Sequence, residues 1–320
     1  MSLKDSLLAF VIVAIWGFNF IVIAWGLAHM PPLMMGAGRF LFVGVIGCLL
    51  VKRPNIKLRW LALYALTLCF GQFALLFCAI AFGMPAGLAS LVLQSQALFT
   101  IVLSALLLSE AIKPAQLLAM LVAGAGLTII GLSEQATQMT AIGFALTIAS
   151  AALWGSGNVI NRKINQAGYL ANAHSSSGSR APSLRNNPGL GLVVWSSWFA
   201  LIPFAVASLL FEGSEAIVAS LAQFNLTGFG VLLYLSVCAS MLGYSLWSYL
   251  LTRYPAGQVA PLTLAVPVVG LLCAMVFLNE QVTSGQWLGI VVVMFGLVIN
   301  MKGERLAQLF KLKVSRNAKG

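Results

Sequence analysis

The sequence predicts an all-α membrane protein in which ten transmembrane helices form two inverted repeats of five helices each. Three observations predict this fold class: a composition that is 60% hydrophobic and 8% charged, a series of long apolar runs, and an internal repeat without gaps. A soluble domain carries roughly 25% charged residues. The lipid bilayer is therefore the expected environment of this chain and its main partner.

Ten apolar runs have about the twenty residues that cross a bilayer as a helix. They are 5–26, 31–51, 59–82, 85–108, 115–133, 139–161, 190–212, 228–251, 256–278 and 284–302. If the N-terminus is cytoplasmic, every lysine and arginine except Arg39 falls in a cytoplasmic connection or in the tail. Because such an excess marks the cytoplasmic side, both termini are expected there.

Two segments lie outside the predicted spans. Residues 165–189, between spans six and seven, are rich in Ser, Asn and Gly, which predicts a flexible cytoplasmic linker. Residues 303–320 form a basic cytoplasmic tail. The net charge of +11 follows this topology and is not gathered into a patch, so no nucleic-acid partner is expected.

An internal repeat relates the two halves of the chain, 5–133 and 134–302. Pro85–Ile129 aligns without a gap to Pro255–Ile299 at an offset of 170 residues, and this alignment pairs Glu110 with Glu280. Each half has an odd number of spans, so the second half enters the membrane from the opposite side. Inverted repeats of this kind place a substrate site near the membrane midplane in secondary transporters. A channel is the alternative for a duplicated membrane fold.

Small residues at helix-packing spacing begin the last span. Gly285 and Gly289 form a G-x-x-x-G motif, and their repeat mates are Ala115 and Ala119. This spacing lets two helices approach closely. Spans five and ten are expected to pack either against each other or against a second protomer in a homodimer.

Several motifs make the chain similar to the EamA family of the drug/metabolite transporter superfamily over nearly its whole length. They are Trp16-Gly17-Phe18-Asn19, Ser109-Glu110, Asn279-Glu280, the run from Phe77 to Gln94, and the run from Ala260 to Leu271. The resemblance implies export of amino-acid metabolites such as cysteine and O-acetylserine across the bacterial inner membrane. Aromatic amino acids or drugs are alternative cargoes, since members of the family carry both.

Three glutamines are expected near the membrane midplane, where polar side chains are costly and mark function. Gln72, Gln94 and Gln96 fall about 14 to 20 Å into their spans. Gln94 and Gln96 are two positions apart, so in a regular helix they point to nearly opposite faces and only one is expected to reach a central cavity. Gln94 is the favoured one. The alternative for either is a hydrogen bond to a neighbouring helix.

Amide and aromatic side chains recur at related depths of the two halves. Trp16 with Asn19 and Trp154 with Asn158 each share a helix face, and Tyr244 belongs to a polar stripe on the eighth span. Such a lining suits a small zwitterion, whose ammonium needs acceptors and whose carboxylate needs donors. Contacts between helices are the alternative role of each pair.

Arg39 is the only charged residue well inside a span, and two roles are open for it. It either meets a substrate carboxylate or extends outward to the membrane surface. Pro261 and Pro267 are expected to kink the ninth span and to free the carbonyls of Gly257 and Thr263 for other partners.

No metal, cofactor or catalytic group is expected. The five cysteines lie in apolar runs without C-x-x-C spacing, and the chain has no H-E-x-x-H, G-x-S-x-G or P-loop motif. A membrane-embedded enzyme is thus the less favoured class. No acidic residue lies at the centre of a span, so no carboxylate proton relay is predicted.

Overall fold

A computed structural model describes residues 1–133, 139–167 and 187–317. Its long helices are labelled here in chain order. They are α1 (Leu3–Leu27), α2 (Pro32–Leu50), α3 (Leu58–Ala81), α4 (Ala86–Leu108), α5 (Pro114–Leu132), α6 (Ala141–Gln166), α7 (188–212), α8 (Leu226–Arg253), α9 (256–277) and α10 (Ser284–Asn317). A short helix, Ser214–Ala222, connects α7 to α8.

Nine helices in the described part of the chain are long and apolar enough to cross a membrane, and the shorter apolar helix Pro261–Phe277 belongs to α9. A helix therefore lies at each of the ten predicted spans. The predicted tail begins as a continuation of α10 as far as Asn317. Most of the predicted linker, residues 168–186, and the last residues, 318–320, lie outside the described residues.

The helix ends gather at two ends of the bundle. At one end, α1 begins beside the last residue of α8, with Arg253 Nη1 3.8 Å from Asp5 Oδ2. Asn300 of α10 and Glu110, just after α4, line one basin at this same end. We call it the termini end. At the other end, called the sealed end, α2 and α4 begin.

The offset of 170 residues recurs in the backbone geometry. Ser109 and its mate Asn279 both adopt the left-handed conformation, with φ of 55° and 54°. The amide of Glu110 donates to the carbonyl of Ser104, and the amide of Glu280 donates to that of Ala274, so these two bonds are also 170 residues apart. The ends of α4 and α9 therefore share one local structure.

Helices α5 and α10 pack against each other at backbone contact. A Cβ atom added to Gly126 would lie 2.7 Å from the Val293 amide nitrogen and 2.8 Å from the Gly289 carbonyl oxygen. A Cβ added to Gly296 would lie 2.7 Å from the Ala123 nitrogen. Glycine is needed where two backbones approach this closely. Of the two packing modes expected for spans five and ten, the structure shows the contact within one chain.

Replacing Gly126 by alanine is expected to destabilise the protein by about 1–3 kcal/mol, because the methyl group overpacks a backbone contact that no rotamer change can relieve. Gly124 on the same helix provides the matched control, since a Cβ there has nothing within 4 Å. Thermal unfolding in detergent, followed by tryptophan fluorescence, should show a lower midpoint for Gly126→Ala and an unchanged or higher one for Gly124→Ala. Equal midpoints for the two variants would contradict the contact.

Candidate functional site

A cavity of about 140 Å³, lined by both apolar and polar side chains, lies deep in the bundle between α1, α2, α3, α4, α6, α8 and α9. Eight of the nine residues predicted to contact substrate line it, namely Trp16, Asn19, Arg39, Gln72, Gln94, Gln96, Trp154 and Tyr244. The ninth, Asn158, lines a larger vestibule of about 640 Å³. The sequence-predicted candidates thus converge in space, although they come from both halves of the chain.

The vestibule leads from the cavity to the termini end. The two spaces share Trp16, Gln96, Trp154, Tyr244 and Thr263 in their walls. The outer wall of the vestibule includes the ends of α6 and α8 and the start of α7, at Asn165, Thr252 and Gly189. The cavity therefore adjoins the vestibule on the side of the termini end.

Both Gln94 and Gln96 line the cavity, so the prediction that only one of them faces it was wrong. The reason is local: Leu93–Ser95 forms a 3-10 turn between two α-helical parts of α4. A 3-10 helix rotates about 120° per residue, against about 100° in an α-helix, which brings positions two residues apart nearer to one face. Gln96 also accepts a hydrogen bond of 2.7 Å from Asn158 Nδ2. This amide pair joins α4 to α6.

Helix α9 is broken where the two prolines predicted a kink. Its backbone changes from a short α-helical turn to a 3-10 segment, Ala260–Leu264, and then to Ala265–Phe277. The Thr263 carbonyl, which Pro267 frees from its helical partner, accepts a hydrogen bond of 3.3 Å from Gln94 Nε2. Ser90 Oγ lies 3.4 Å from the Pro267 carbonyl. The irregular parts of α4 and α9 are therefore joined by hydrogen bonds beside the cavity.

Two π-helical segments shape the wall of the cavity. The segment Ala65–Gly71 in α3 ends directly before Gln72, whose Nε2 lies 3.4 Å from Ser150 Oγ on α6. The segment Tyr234–Leu242 in α8 contains Ser240. Extra residues of this kind within a helix redirect side chains and occur frequently at functional sites.

Arg39 is 3% exposed and lines the cavity, so it does not extend to the membrane surface. Its Nη2 donates to Ser240 Oγ at 3.0 Å, and its Cζ lies 3.9 Å from the centre of the Phe73 ring. Phe73 was not singled out from the sequence, because an aromatic residue in an apolar run carries no distinguishing signal. A cation over an aromatic face is favourable, and this contact holds the guanidinium in place.

Aromatic rings form the boundary between cavity and vestibule. Trp16 packs against Tyr244 and Trp247 at ring-centre distances of 5.7 and 5.6 Å, and its indole Nε1 donates to the Ala239 carbonyl at 3.0 Å. Trp16 is therefore held in position by α8 as well as by its own helix. Its partner in the predicted pair, Asn19, is buried, and its Oδ1 has no hydrogen-bond partner.

Glutamates hold the sealed end together. Glu280 accepts hydrogen bonds from the amides of Ala86 and Gly87, at 2.5 and 2.9 Å, and so binds the N-terminus of α4. Glu212 binds the start of α2 in the same way, through the amides of Leu33 and Met34. Burial raises the pKa of Glu280 above its ordinary value, although the two backbone hydrogen bonds act in the opposite direction. A carboxylate at a helix N-terminus is favoured by both the free amides and the helix dipole.

Glu110, the repeat mate of Glu280, is in a different environment at the termini end. It forms an ion pair of 2.8 Å with Arg162, and both side chains are partly exposed. The pair borders a basin of about 670 Å³ between α4, α5, α6 and α10. The contact of Glu280 across the two halves was missed, and the repeat alignment was the only signal for it.

A cofactor or metal has no evident place among these residues. In the part of the chain that the structure describes, no three His, Cys, Asp or Glu side chains form a group that could hold a metal ion. Every group lining the cavity is an amide, hydroxyl, guanidinium, aromatic, aliphatic or backbone group. Such a lining can bind and orient a small polar molecule.

Comparison with known proteins gives one consistent family. The profile of the EamA-like transporter family matches residues 4–132 and 178–302. The chain is 46% identical over 312 residues to a "Probable amino-acid metabolite efflux pump" of Salmonella typhimurium, covering 96% of this chain and 97% of that protein. It is 44% identical over 318 residues to the protein of the same name from Escherichia coli, covering 98% and 99%. A solved crystal structure shares the fold, with a TM-score of 0.56 and 17% identity over 96% of this chain and 99% of the other.

Proposed function

We propose a function from the premise that this chain belongs to the EamA-like transporter family. The protein is a secondary transporter of the bacterial inner membrane, with ten spans in two inverted repeats and both termini in the cytoplasm. It exports small metabolites by alternating access. Cysteine and O-acetylserine are the cargoes that the family resemblance favours, and two relatives that are 46% and 44% identical to this chain are named for amino-acid metabolite efflux.

The observation that carries the proposal is a cavity between the two halves that has polar groups in its wall and adjoins a vestibule at the termini end. The one-sided distribution of basic residues assigns the termini end to the cytoplasm. The cavity is thus positioned to load from the cytoplasm. A channel would need a continuous path, whereas glutamate contacts hold helix ends together on the far side here.

Alternating access requires a second arrangement, and the repeat indicates what it is. In an inverted repeat the contacts of one half at one end are reproduced by the other half at the opposite end. Glu280 binds the start of α4 at the sealed end. Its mate Glu110 would correspondingly leave Arg162 and bind the start of α9, at the mates of Ala86 and Gly87, which are Ala256 and Gly257. Export would exchange one glutamate contact for the other.

Counterflow in proteoliposomes tests this function. Vesicles containing the purified protein and loaded with unlabelled O-acetylserine are expected to accumulate labelled cysteine saturably, while protein-free vesicles do not. The measurement is repeated with and without a pH gradient, which reveals any coupling to protons. If folded protein moves neither compound, the substrate assignment falls, and aromatic amino acids and drugs become the cargoes to test.

A further inference from the structure

We propose that Arg39 binds the carboxylate of the transported metabolite, so that a free carboxylate is required for tight binding in the cavity. The inference rests on the proposed function, because it concerns the cavity through which the metabolite would pass. It assigns a ligand group to a named residue, which neither the family nor the names of the relatives provide.

Arg39 lines the cavity and has donors without hydrogen-bond partners. Ser240 and the Phe73 ring engage one nitrogen and one face of the guanidinium, but Nε and Nη1 have no hydrogen-bond partner. Arginine keeps its charge in a protein interior, and a buried charged group with unmade hydrogen bonds is strongly unfavourable. An anionic ligand in the cavity would supply the missing hydrogen-bond acceptors and the opposite charge. A carboxylate, like a phosphate, can accept two hydrogen bonds from a guanidinium at once, and it is the anionic group that an amino-acid metabolite carries.

No carboxylate among the side chains that the structure describes lies beside Arg39 to neutralise its charge. No Asp or Glu occurs among the described residues that line the cavity or its vestibule. The acids with contacts in the described chain lie at helix ends: Glu110 with Arg162, Asp5 with Arg253, and Glu212 and Glu280 with helix amides. The cavity therefore attracts anions and repels cations, and this effect is stronger away from water.

The same cavity offers a partner for the ammonium of an amino acid. The Oδ1 atom of Asn19 is buried without a hydrogen-bond partner, and an amide oxygen can accept from an ammonium. The faces of Trp16 and Tyr244 supply aromatic surface nearby, which favours a cation. Residues with unpaired donors and with an unpaired acceptor line one cavity, and this combination matches a zwitterion better than either an anion or a cation alone.

The size of the cavity limits the ligand. Its volume of about 140 Å³ is close to the roughly 150 Å³ that holds a benzene molecule in an engineered protein cavity. Cysteine is close to benzene in size, and O-acetylserine would extend towards the vestibule past Trp16. A large drug would not fit the cavity without a change in the surrounding helices.

Binding of matched acids and esters to the purified protein tests the proposal. O-acetylserine and its methyl ester differ at the carboxylate, and their affinities are measured by isothermal titration calorimetry in detergent. The acid is expected to bind about 10- to 100-fold more tightly, the range that charge-assisted hydrogen bonds provide. Equal affinity for acid and ester in folded protein would overturn the proposal.

Substitutions assign the preference to Arg39. Arg39→Met is expected to weaken binding of the acid about 10- to 100-fold and to leave binding of the ester unchanged, which a general loss of structure would not do. Arg39→Lys keeps the charge, and its affinity for the acid should lie between those of the wild type and Arg39→Met. Arg53→Met, in the connection after α2, is the control and should behave as wild type. Should Arg39→Met fail to fold, the comparison of acid with ester on the wild-type protein still tests whether the cavity binds the carboxylate.

The two proposals fail in different ways. Preferential binding of the acid without counterflow of any amino acid would contradict the proposed transport function and still support the Arg39 site. Counterflow with equal competition by acid and ester would support the transport function and contradict the Arg39 site.

Discussion

Replacing Glu110 by glutamine is expected to reduce counterflow at least tenfold while leaving the protein folded. The variant keeps the size of the side chain but loses the charge that would bind the N-terminus of α9 when the cytoplasmic side closes. Charge-assisted hydrogen bonds contribute about 1.5–3 kcal/mol, and a loss of that size lowers the population of the closed arrangement about 10- to 100-fold. The initial rate of labelled cysteine uptake by proteoliposomes measures the effect.

Arg162→Gln separates this role from that of an ordinary ion pair. Both partners of the Glu110 and Arg162 pair are partly exposed, with 36% and 52% of their side-chain surface accessible, and exposed pairs contribute about 0–1 kcal/mol. Removing Arg162 should therefore leave counterflow intact, since it frees Glu110 for its second contact. A Glu110→Gln rate equal to that of Arg162→Gln would contradict the exchange of glutamate contacts.

Replacing Glu280 by glutamine is expected to open the sealed end. The carboxylate accepts two backbone hydrogen bonds at the start of α4, and a neutral amide holds these donors less well. The arrangement open to the cytoplasm should become about 10- to 100-fold less populated, because its far side is no longer held closed. A cysteine at Ala86, which is 2% exposed in this structure, should then react with a membrane-impermeant maleimide.

Glu215→Gln is the matched control for this variant. Glu215 is an exposed glutamate in the first turn of the short helix between α7 and α8, near the sealed end. Its replacement removes the same charge without touching α4, so the cysteine at Ala86 should stay unreactive. Equal labelling of Ala86→Cys in the Glu280→Gln and Glu215→Gln backgrounds would show that net charge, and not the contact with α4, matters.

Most of the helices could be predicted from the sequence because of two strong signals, one along the whole chain and one in part of each half. Apolar runs of bilayer length locate the helices, and the repeat offset pairs Ser109 with Asn279, whose backbones share one unusual conformation. The candidate cavity residues were also predictable, since polar groups at membrane depth are rare. Eight of the nine meet in one cavity.

Details that depend on local helix winding could not be predicted. The 3-10 turn at Leu93–Ser95 decides which face Gln96 occupies, and no residue in that turn is diagnostic of it. Contacts between distant parts of the chain could not be predicted from the sequence either. The binding of Ala86 and Gly87 by Glu280 joins residues 194 and 193 positions apart, and only the packing of α4 against α9 brings them together.

The most direct test of alternating access is the reactivity of two cysteines from opposite sides of the membrane. Leu251→Cys lies in the vestibule wall and Ala86→Cys at the sealed end, each in a chain whose five native cysteines are replaced by alanine. Without substrate, the impermeant maleimide should label only Leu251→Cys, and from the cytoplasmic side. With O-acetylserine present, labelling of Leu251→Cys should fall and labelling of Ala86→Cys from the other side should rise. Simultaneous labelling of both positions would indicate a channel, and labelling unchanged by substrate would contradict the proposed transport cycle.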